Sequence, residues 1–410
     1  MASPPTPLLL TAEAGLPALE EALRRMPRNG GVVGLAPDLE RAVLRRALGE
    51  GRPEWAAEGP AVVVGSGGSS GGRRWCLQPL ARLEASAAAT GAWLRGLGIE
   101  PSHALVVNPL PWHHVSGLMP WLRARQWEAE HRVVAPAQLR QPAALAAVLP
   151  PLRSRPALLS LVPTQLHRLL ADPAGVEWLR AFALIWVGGA PLAPAEVNRS
   201  RRAGLRLAPC YGSTETGSMV AALAPEAFLA GVGGCGLPLP HAQLRLAAPD
   251  GAVEVRATSL SPGHLKNGRL RPLAMEGEWW RSGDRGRLDP GSLTLLGRLD
   301  GAVQSGGETV FPEEVERALL ALAAERALPV AALLVVPRPD PEWGERLVAL
   351  VRLSGGEGDE RLLRVLRKLA MTLPPAQRPV QWRLCPQLAP NGMGKWERAR
   401  WVDWVSRGGW

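Results

Sequence analysis

The chain has 410 residues, 46% of them hydrophobic and 20% charged, with a net charge of +10, which is enough material for a large core in two or three domains. The arginines are scattered and no basic block is interleaved with aromatics, so the positive balance reads as a solvated surface that attracts acidic small molecules, with no nucleic-acid partner. Cys76, Cys210, Cys235 and Cys385 lack C-x-x-C spacing, which argues against zinc and a disulfide framework; with no basic, apolar leader and no apolar run reaching ~18 residues, the expectation is a cytoplasmic protein without a membrane span.

In chain order, residues 16–25 and 39–48 are expected helices. Residues 61–74 (AVVVGSGGSSGGRR) then run from an apolar stretch into glycines and serines and end in two cations. A buried strand followed by a donor-rich loop suits an anion such as phosphate. The Walker A spacing of Gly67 and Gly72 is followed by Arg73-Arg74 where Lys and Ser/Thr belong, and a dinucleotide fingerprint lacks its third glycine at Ser70. Gly67-Gly-Ser69-Ser-Gly71 satisfies the nucleophile-elbow pattern, which would make Ser69 a hydrolase nucleophile. A plain flexible turn is the third reading, and the loop alone does not choose among them.

A helix over residues 80–97 comes next, giving strand, loop and helix as a first α/β unit. Strands over 104–107, 158–162 and 182–187 repeatedly end in Gly, Ser, Thr or Pro and lead to helices, the pattern of a mostly parallel sheet with ligands at the carboxyl ends of its strands. His113 and His114 lie at one such end, without a third ligand nearby for a metal, and one of them lining a pocket is the better reading. Residues 205–217 (LRLAPCYGSTETG) form another junction, holding the only tyrosine in the chain, Tyr211. There a ring can stack on a base, Thr214 can meet phosphate and Glu215 can hold magnesium; a capped loop would use the same residues for backbone donors. Residues 233–299 read as short strands between turns.

Arg298-Leu-Asp300-Gly reads as a hinge. Beyond it come a helix over 313–326, strands over 330–336 and 347–353, a helix over 360–371 and a strand over 380–384. Lys395 lies on a glycine loop and is one of only three lysines, with Lys266 and Lys368, in a chain that writes arginine almost everywhere.

Five of these motifs, in this order, resemble those of the adenylate-forming superfamily of acyl-CoA synthetases and adenylation domains: residues 66–74, Tyr211 to Glu215, Ser282 to Gly286, residues 297–316 and Asn391 to Lys395. The resemblance implies an α/β fold: a large N-terminal domain (1–299) with mostly parallel sheets and a β-rich subdomain, and a small mobile α+β C-terminal domain (300–410) carrying hinge and lysine. It implies ATP, Mg2+ and coenzyme A, and a small aromatic or acyl carboxylate as partner. By role, Ser66, Gly68, Ser69, Ser70, Gly71 and Arg74 would hold the leaving phosphates, with Ser69 also serving magnesium. Tyr211 and Gly212 would meet adenine beside Gly189 and Ala190, Thr214 the α-phosphate, Glu215 the magnesium, and Asp284 and Arg298 the ribose. Lys395 would bridge the substrate carboxylate and α-phosphate. Asp300 would be the hinge, and Gly306, Gly307 and Glu308 would line the thiol's route.

Residues 110–118 (LPWHHVSGL) and 160–170 (SLVPTQLHRLL) resemble most the branch of o-succinylbenzoate–CoA ligases of menaquinone and phylloquinone synthesis, which would set His114 against the acyl group. Another acyl- or aryl-CoA ligase, a Ser69 hydrolase and a non-catalytic nucleotide-binding protein remain as alternatives, and a homo-oligomer stays open.

Overall fold

The computed structural model describes residues 7–26, 31–49, 59–67, 73–148, 155–354, 360–391 and 395–408. The expectations placed on Gly68, Ser69, Ser70 and Gly71 lie outside the described residues.

The chain opens with β1 (Leu8–Thr11), α1 (Gly15–Arg25), β2 (Val32–Ala36), α2 (Arg41–Leu48) and β3 (Ala61–Gly67). These three strands run parallel. The expected direct passage from strand through loop to helix does not form. Instead β4 (Arg73–Pro79) returns antiparallel along β3, with Gly67 opposite Arg73 and Ser66 opposite Arg74, before α3 (Leu80–Gly96) begins. The run from Arg73 to Pro79 has too few polar interruptions to distinguish it from a helix entrance by pattern, and pairing with β3 decides it.

Next come β5 (Leu105–Asn108), α4 (Val115–Trp127), β6 (Glu130–Val133), α5 (Pro142–Val148), β7 (Ala157–Leu161), α6 (Pro163–Leu170), α7 (Pro173–Arg180), β8 (Leu184–Val187), α8 (Pro194–Arg202) and β9 (Leu207–Ser213). The five strands form a parallel sheet in the order β9-β8-β7-β5-β6. Alternation sorts its side chains: Leu105, Val107, Leu159, Ile185 and Val187 face α5–α7, while Val106, Leu158, Leu184 and Trp186 face α3 and α4. A parallel strand covered on both faces must be apolar at every position, which is why these runs are so uniformly hydrophobic. α3 and α4 also pack Leu83, Ala87, Leu118 and Met119 against β2 and β3, so they fill the space between two sheets.

β9 does not hand over to a helix as its polar end suggests. It turns back into β10 (Ser218–Ala222), antiparallel, and α9 (Pro225–Leu229) and the short β11 (Leu237–Pro238) come after it. β12 (Ala242–Ala247), β13 (Ala252–Ala257), β14 (Gly263–Lys266), β15 (Arg269–Pro272), β16 (Met275–Glu276), β17 (Trp279–Asp289) and β18 (Ser292–Arg298) make the expected β-rich stretch. β14 and β15 extend the first sheet through β4, and the others form an antiparallel sheet of their own.

The remaining elements are β19 (Val303–Ser305), β20 (Glu308–Val310), α10 (Pro312–Glu325), β21 (Val330–Asp340), β22 (Gly344–Leu353), α11 (Glu360–Ala370), β23 (Gln381–Leu384) and α12 (Arg398–Ser406). One face of this sheet packs Leu333, Val335, Leu347 and Ala349 against α10 and α11; the other packs Leu334, Val336 and Val348 against Trp401 of α12. Both clusters draw only on residues from 303 onward, so the fold is a large N-terminal and a smaller C-terminal domain. α12 is not among the helices expected from the sequence, although Trp401, Trp404 and Val405 carry helical spacing. Among the described residues no helix is long and apolar enough to cross a membrane, and all four cysteines are free.

Candidate active site

The turn between β9 and β10 is clamped from several sides. Gln78, fully buried on β4, donates to the Thr214 carbonyl. Ser261 N–H donates to the Glu215 carbonyl at 2.7 Å, Ser259 Oγ to the Thr216 carbonyl at 2.7 Å, and Ser213 N–H to Thr216 Oγ1 at 2.8 Å. Buried backbone groups are thereby satisfied, and Thr214 and Glu215 are held at a fixed place. Gly212 has a local reason of its own, since a Cβ there would lie 2.0 Å from the Ser218 carbonyl on β10. Gly212→Ala is expected to destabilise the protein by about 1–3 kcal/mol or more through overpacking, read as a lowered urea midpoint.

Tyr211 is buried, and its hydroxyl donates to Asp284 Oδ2 at 2.9 Å beside Ser282 Oγ at 3.1 Å. Burial first, then the Asp284 charge, pushes its pKa well above the usual phenol value, so it stays a neutral donor. Asp284 Oδ1 also takes Arg298 Nη1 at 3.1 Å, and Arg298 grips Asp300 with Nε at 2.9 Å and Nη2 at 3.0 Å. A Cβ on Gly283 would sit 2.4 Å from Arg298 Nη2, so the missing side chain is what lets the guanidinium lie across β17. Tyr211, Asp284, Arg298 and Asp300 thus form one chain of contacts.

Glu215 Oε1 lies 2.9 Å from His264 Nε2. Burial raises the carboxyl pKa, but the His264 hydrogen bond, a backbone bond and the His264 charge outweigh it and bring it down to about 2. Glu215 is therefore ionised at neutral pH. Magnesium usually needs only one or two carboxylates because phosphates and water complete its shell, so an ionised Glu215 fits that ion. His264 is a site residue that sequence reasoning missed; nothing local in Gly263-His-Leu265 marks it, and β14 brings it to Glu215 through pairing with β4.

Lys395 lies four residues beyond Asn391, and the two clasp: Asn391 N–H donates to the Lys395 carbonyl at 2.9 Å, and Lys395 N–H to Asn391 Oδ1 at 3.0 Å. The residue keeps solvent-exposed surface, yet its side chain is crowded enough that lost hydration lowers its pKa. The charges acting on it, in falling order, are Glu215, Arg298, Arg73 and Asp284. The small domain therefore carries its lysine to the groups of the large one. His114, at the start of α4, shares this neighbourhood. Burial first, then His113, Arg73 and Lys395, lower its pKa to about 3, against a bond to the Gly65 backbone. It is a neutral imidazole at neutral pH.

The strands place the other expected residues. Ser66 is buried near the end of β3. Arg74 is exposed on β4, whereas Arg73, the first residue of that strand, is the cation whose charge reaches His114 and Lys395, while pairing with Glu40 at 2.8 Å. Gly189, with φ +88°, and Ala190 come after β8. Gly306 and Gly307, both in the left-handed region at φ +59° and +82°, form the two-residue turn that places Ser305 opposite Glu308. That hairpin contacts Trp343 within the small domain.

A second group went unread in the sequence. Arg123 of α4 is 3% exposed, donates to Ser218 Oγ at 2.9 Å and lies over Trp186 at 5.5 Å. Its Nε, the Trp186 Nε1 and both nitrogens of His241 are buried without a hydrogen-bond partner. Burial lowers the Arg123 pKa to about 10, and burial with the Arg123 charge lowers that of His241 to about 4. No carboxylate is among the contacts of Arg123 in the described residues.

His241 and His131, the latter also brought to about 4 by burial, make a pH prediction. Each binds a proton more readily unfolded, near the ordinary ~6.5, than folded, so stability is lost as pH falls from that value toward about 4. His131→Gln is expected to remove about 1–2 kcal/mol of the loss between pH 7 and pH 5, measured by denaturant titration at both pH values.

Residues 17–265 match the AMP-binding enzyme family. The chain belongs to that family. A probable 2-succinylbenzoate–CoA ligase of Mycobacterium tuberculosis is 30% identical over 351 residues, which cover 83% of this chain and 84% of that protein. 2-Succinylbenzoate–CoA ligases of Salmonella typhimurium and Escherichia coli are 39% and 36% identical over 60% of this chain. The chain spans about half the length of these two, 50% and 51%. Among solved structures, wild-type E. coli MenE with a bound m-phenylether-linked analogue of OSB-AMS is similar at a TM-score of 0.64 and 26% identity, covering 97% of this chain and 82% of that one. MenE of Bacillus subtilis with the acyl-adenylate intermediate OSB-AMP shares the fold at a TM-score of 0.69 and 21% identity.

Proposed function

We propose that this AMP-binding enzyme is an ATP-dependent acid–CoA ligase that converts o-succinylbenzoate to its CoA thioester through an acyl-adenylate, working in the cytoplasm. The observation that carries the reading is the meeting of Tyr211, Asp284, Arg298, Glu215 and Lys395, from both domains, around one place.

In the first half-reaction a carboxylate oxygen attacks the α-phosphorus of ATP, the bond to the bridging oxygen breaks, and pyrophosphate leaves. Little covalent work falls to the protein; it positions the reactants and stabilises charge. Asp284, anchored by Tyr211 and Arg298, accepts from the ribose hydroxyls, and the Tyr211 ring meets adenine beside Gly189, Ala190 and Gly212. Thr214 donates to the α-phosphate. Glu215 would hold magnesium, which when bound offsets charge on the phosphates, and Ser69 would assist. The serines of the 66–72 loop would hold the pyrophosphate with Arg74, the cation expected there, and with Arg73, whose charge reaches His114 and Lys395. Lys395 sits where negative charge builds between the two reactants. In the second half-reaction the CoA sulfur attacks the acyl carbon, the bond to AMP breaks and the thiol proton is released. We place the boundary at residues 299/300, with Asp300 as the hinge and Gly306, Gly307 and Glu308 beside the thiol.

The dicarboxylate is supported by the Arg123 group. A buried cation with no carboxylate partner is costly, and a substrate carboxylate seated there would satisfy the orphan donors of Arg123, Trp186 and His241. His114, neutral and within reach of the Lys395 charge, would line the acyl pocket. AMP release across a panel of aryl and acyl acids, with and without CoA, tests the reading. The expected result is release that depends on o-succinylbenzoate and a thioester that forms only with CoA. Release in the absence of any acid, or a product that stays at the adenylate with CoA present, would reject it. Labelling of Ser69 by a fluorophosphonate would instead support a hydrolase.

A further inference from the structure

The lysine and the site lie on different domains, so something must hold α10 and its neighbours against the large domain while adenylation proceeds. Two arginines make that join. Arg317, on α10, reaches β18 and donates through Nη2 to the carbonyls of Leu295, at 3.0 Å, and Leu296, at 2.8 Å. β18 pairs only with β17, and the register shift between Arg285 and Gly286 leaves Leu296 opposite no residue of its partner. Arg317 therefore caps a carbonyl that the sheet itself leaves unused. Arg285, on β17, is fixed to its own domain by Nε donating to the Asp250 carbonyl at 3.1 Å. From there it pairs with Glu314 of α10 and lies over the Phe311 ring at 4.4 Å.

The first turns of the same helix also hold the lysine loop. Arg398, three residues beyond Lys395, pairs with Glu316 at 2.7 Å and Glu313 at 3.2 Å, and donates to the Val335 carbonyl. A continuous line of polar contacts thus runs from β17 and β18 through α10 to the loop of Lys395. Both sets of contacts are part-buried, and the Arg285–Glu314 pair is the more exposed, at 27% and 29% against 19% and 10% for Arg398 and Glu316. The join across the domains is the one built to open.

We infer that Arg285 and Arg317 are positioning residues specific to the adenylation half-reaction: they latch α10 to β17 and β18 and so hold Lys395 in the site, and they are dispensable once the acyl-adenylate exists. This rests on the ligase reading above.

The test measures each half-reaction separately in the full chain. Arg317→Ala is expected to lower kcat for o-succinylbenzoate-dependent exchange of pyrophosphate into ATP by about 10- to 100-fold, the scale expected when a reacting group is misplaced from a distance. Thioester formation from supplied acyl-adenylate and CoA should stay within about twofold of wild type. Arg317→Lys, which keeps one donor, should recover part of the exchange. In a Lys395→Ala background Arg317→Ala should add less than about twofold, because both changes remove the same contribution. Glu314→Gln weakens only the part-buried pair with Arg285, so it gives the same split at smaller amplitude even if Arg317→Ala folds poorly. Equal losses in both half-reactions for Glu314→Gln and Arg317→Lys, or additive effects with Lys395→Ala, would overturn the latch. Absence of exchange in the wild type with every acid would instead reject the ligase reading, and the latch with it.

Discussion

Replacing Lys395 with alanine is expected to slow carboxylate-dependent exchange of pyrophosphate into ATP by about 10²–10³, the cost of removing one preorganised group from a developing negative charge. The expectation comes from the company the ammonium keeps. Glu215 and Asp284 favour its charged form and Arg298 and Arg73 oppose it, while lost hydration lowers its pKa overall. A cation that has lost part of its hydration acts more strongly on charge that forms nearby. On the proposed reading the KM for ATP should change little, since Asp284 and Tyr211, and not Lys395, would hold ribose and base. The lowered pKa adds a second expectation: exchange should fade on the alkaline side at a pH below that of an ordinary lysine, and that limb should vanish in Lys395→Arg. Glu215, at about 2, stays ionised across the same range and leaves no acid limb of its own. A Lys395→Ala enzyme that exchanges pyrophosphate within threefold of wild type would remove the lysine from the mechanism.

What the sequence reveals and what it hides divide along a physical line. The candidate residues Tyr211, Thr214, Glu215, Asp284, Arg298 and Lys395 stand in short stretches of a recognisable motif, so the sequence alone marks them as candidates. His264 and Arg123 do not. His264 reaches Glu215 only because β14 pairs with β4, and Arg123 is one arginine among many until α4 is buried between two sheets. The same limit applies to elements: β4 and β10 exist because β3 and β9 offer them an edge, and pairing of this kind overrides what a local pattern suggests. The two glycines at 306 and 307 read as part of a thiol route from motif alone; the structure adds that they make a tight hairpin on Trp343.

Arg123 is where the missed chemistry has its largest expected effect. Arg123→Met replaces a buried cation by an apolar chain of similar length. If the guanidinium receives the second carboxylate of the substrate, its loss leaves that carboxylate buried against Trp186 and His241 without a counter-charge, and truncating one side of such a pair costs about 2–5 kcal/mol. kcat/KM for o-succinylbenzoate should then fall by about 10²–10³, while an aryl acid lacking the succinyl carboxylate changes by less than about tenfold. Stability should move the other way or not at all: in the unliganded protein the cation has a hydroxyl and an indole face but no carboxylate, and replacing an uncompensated buried charge with a packed apolar group is neutral or stabilising. Selectivity and stability therefore separate in one variant, measured by acid-dependent AMP release and by a denaturant midpoint. A variant that loses both acids equally and unfolds more easily would make Arg123 a structural brace, and the second carboxylate would have to be met elsewhere.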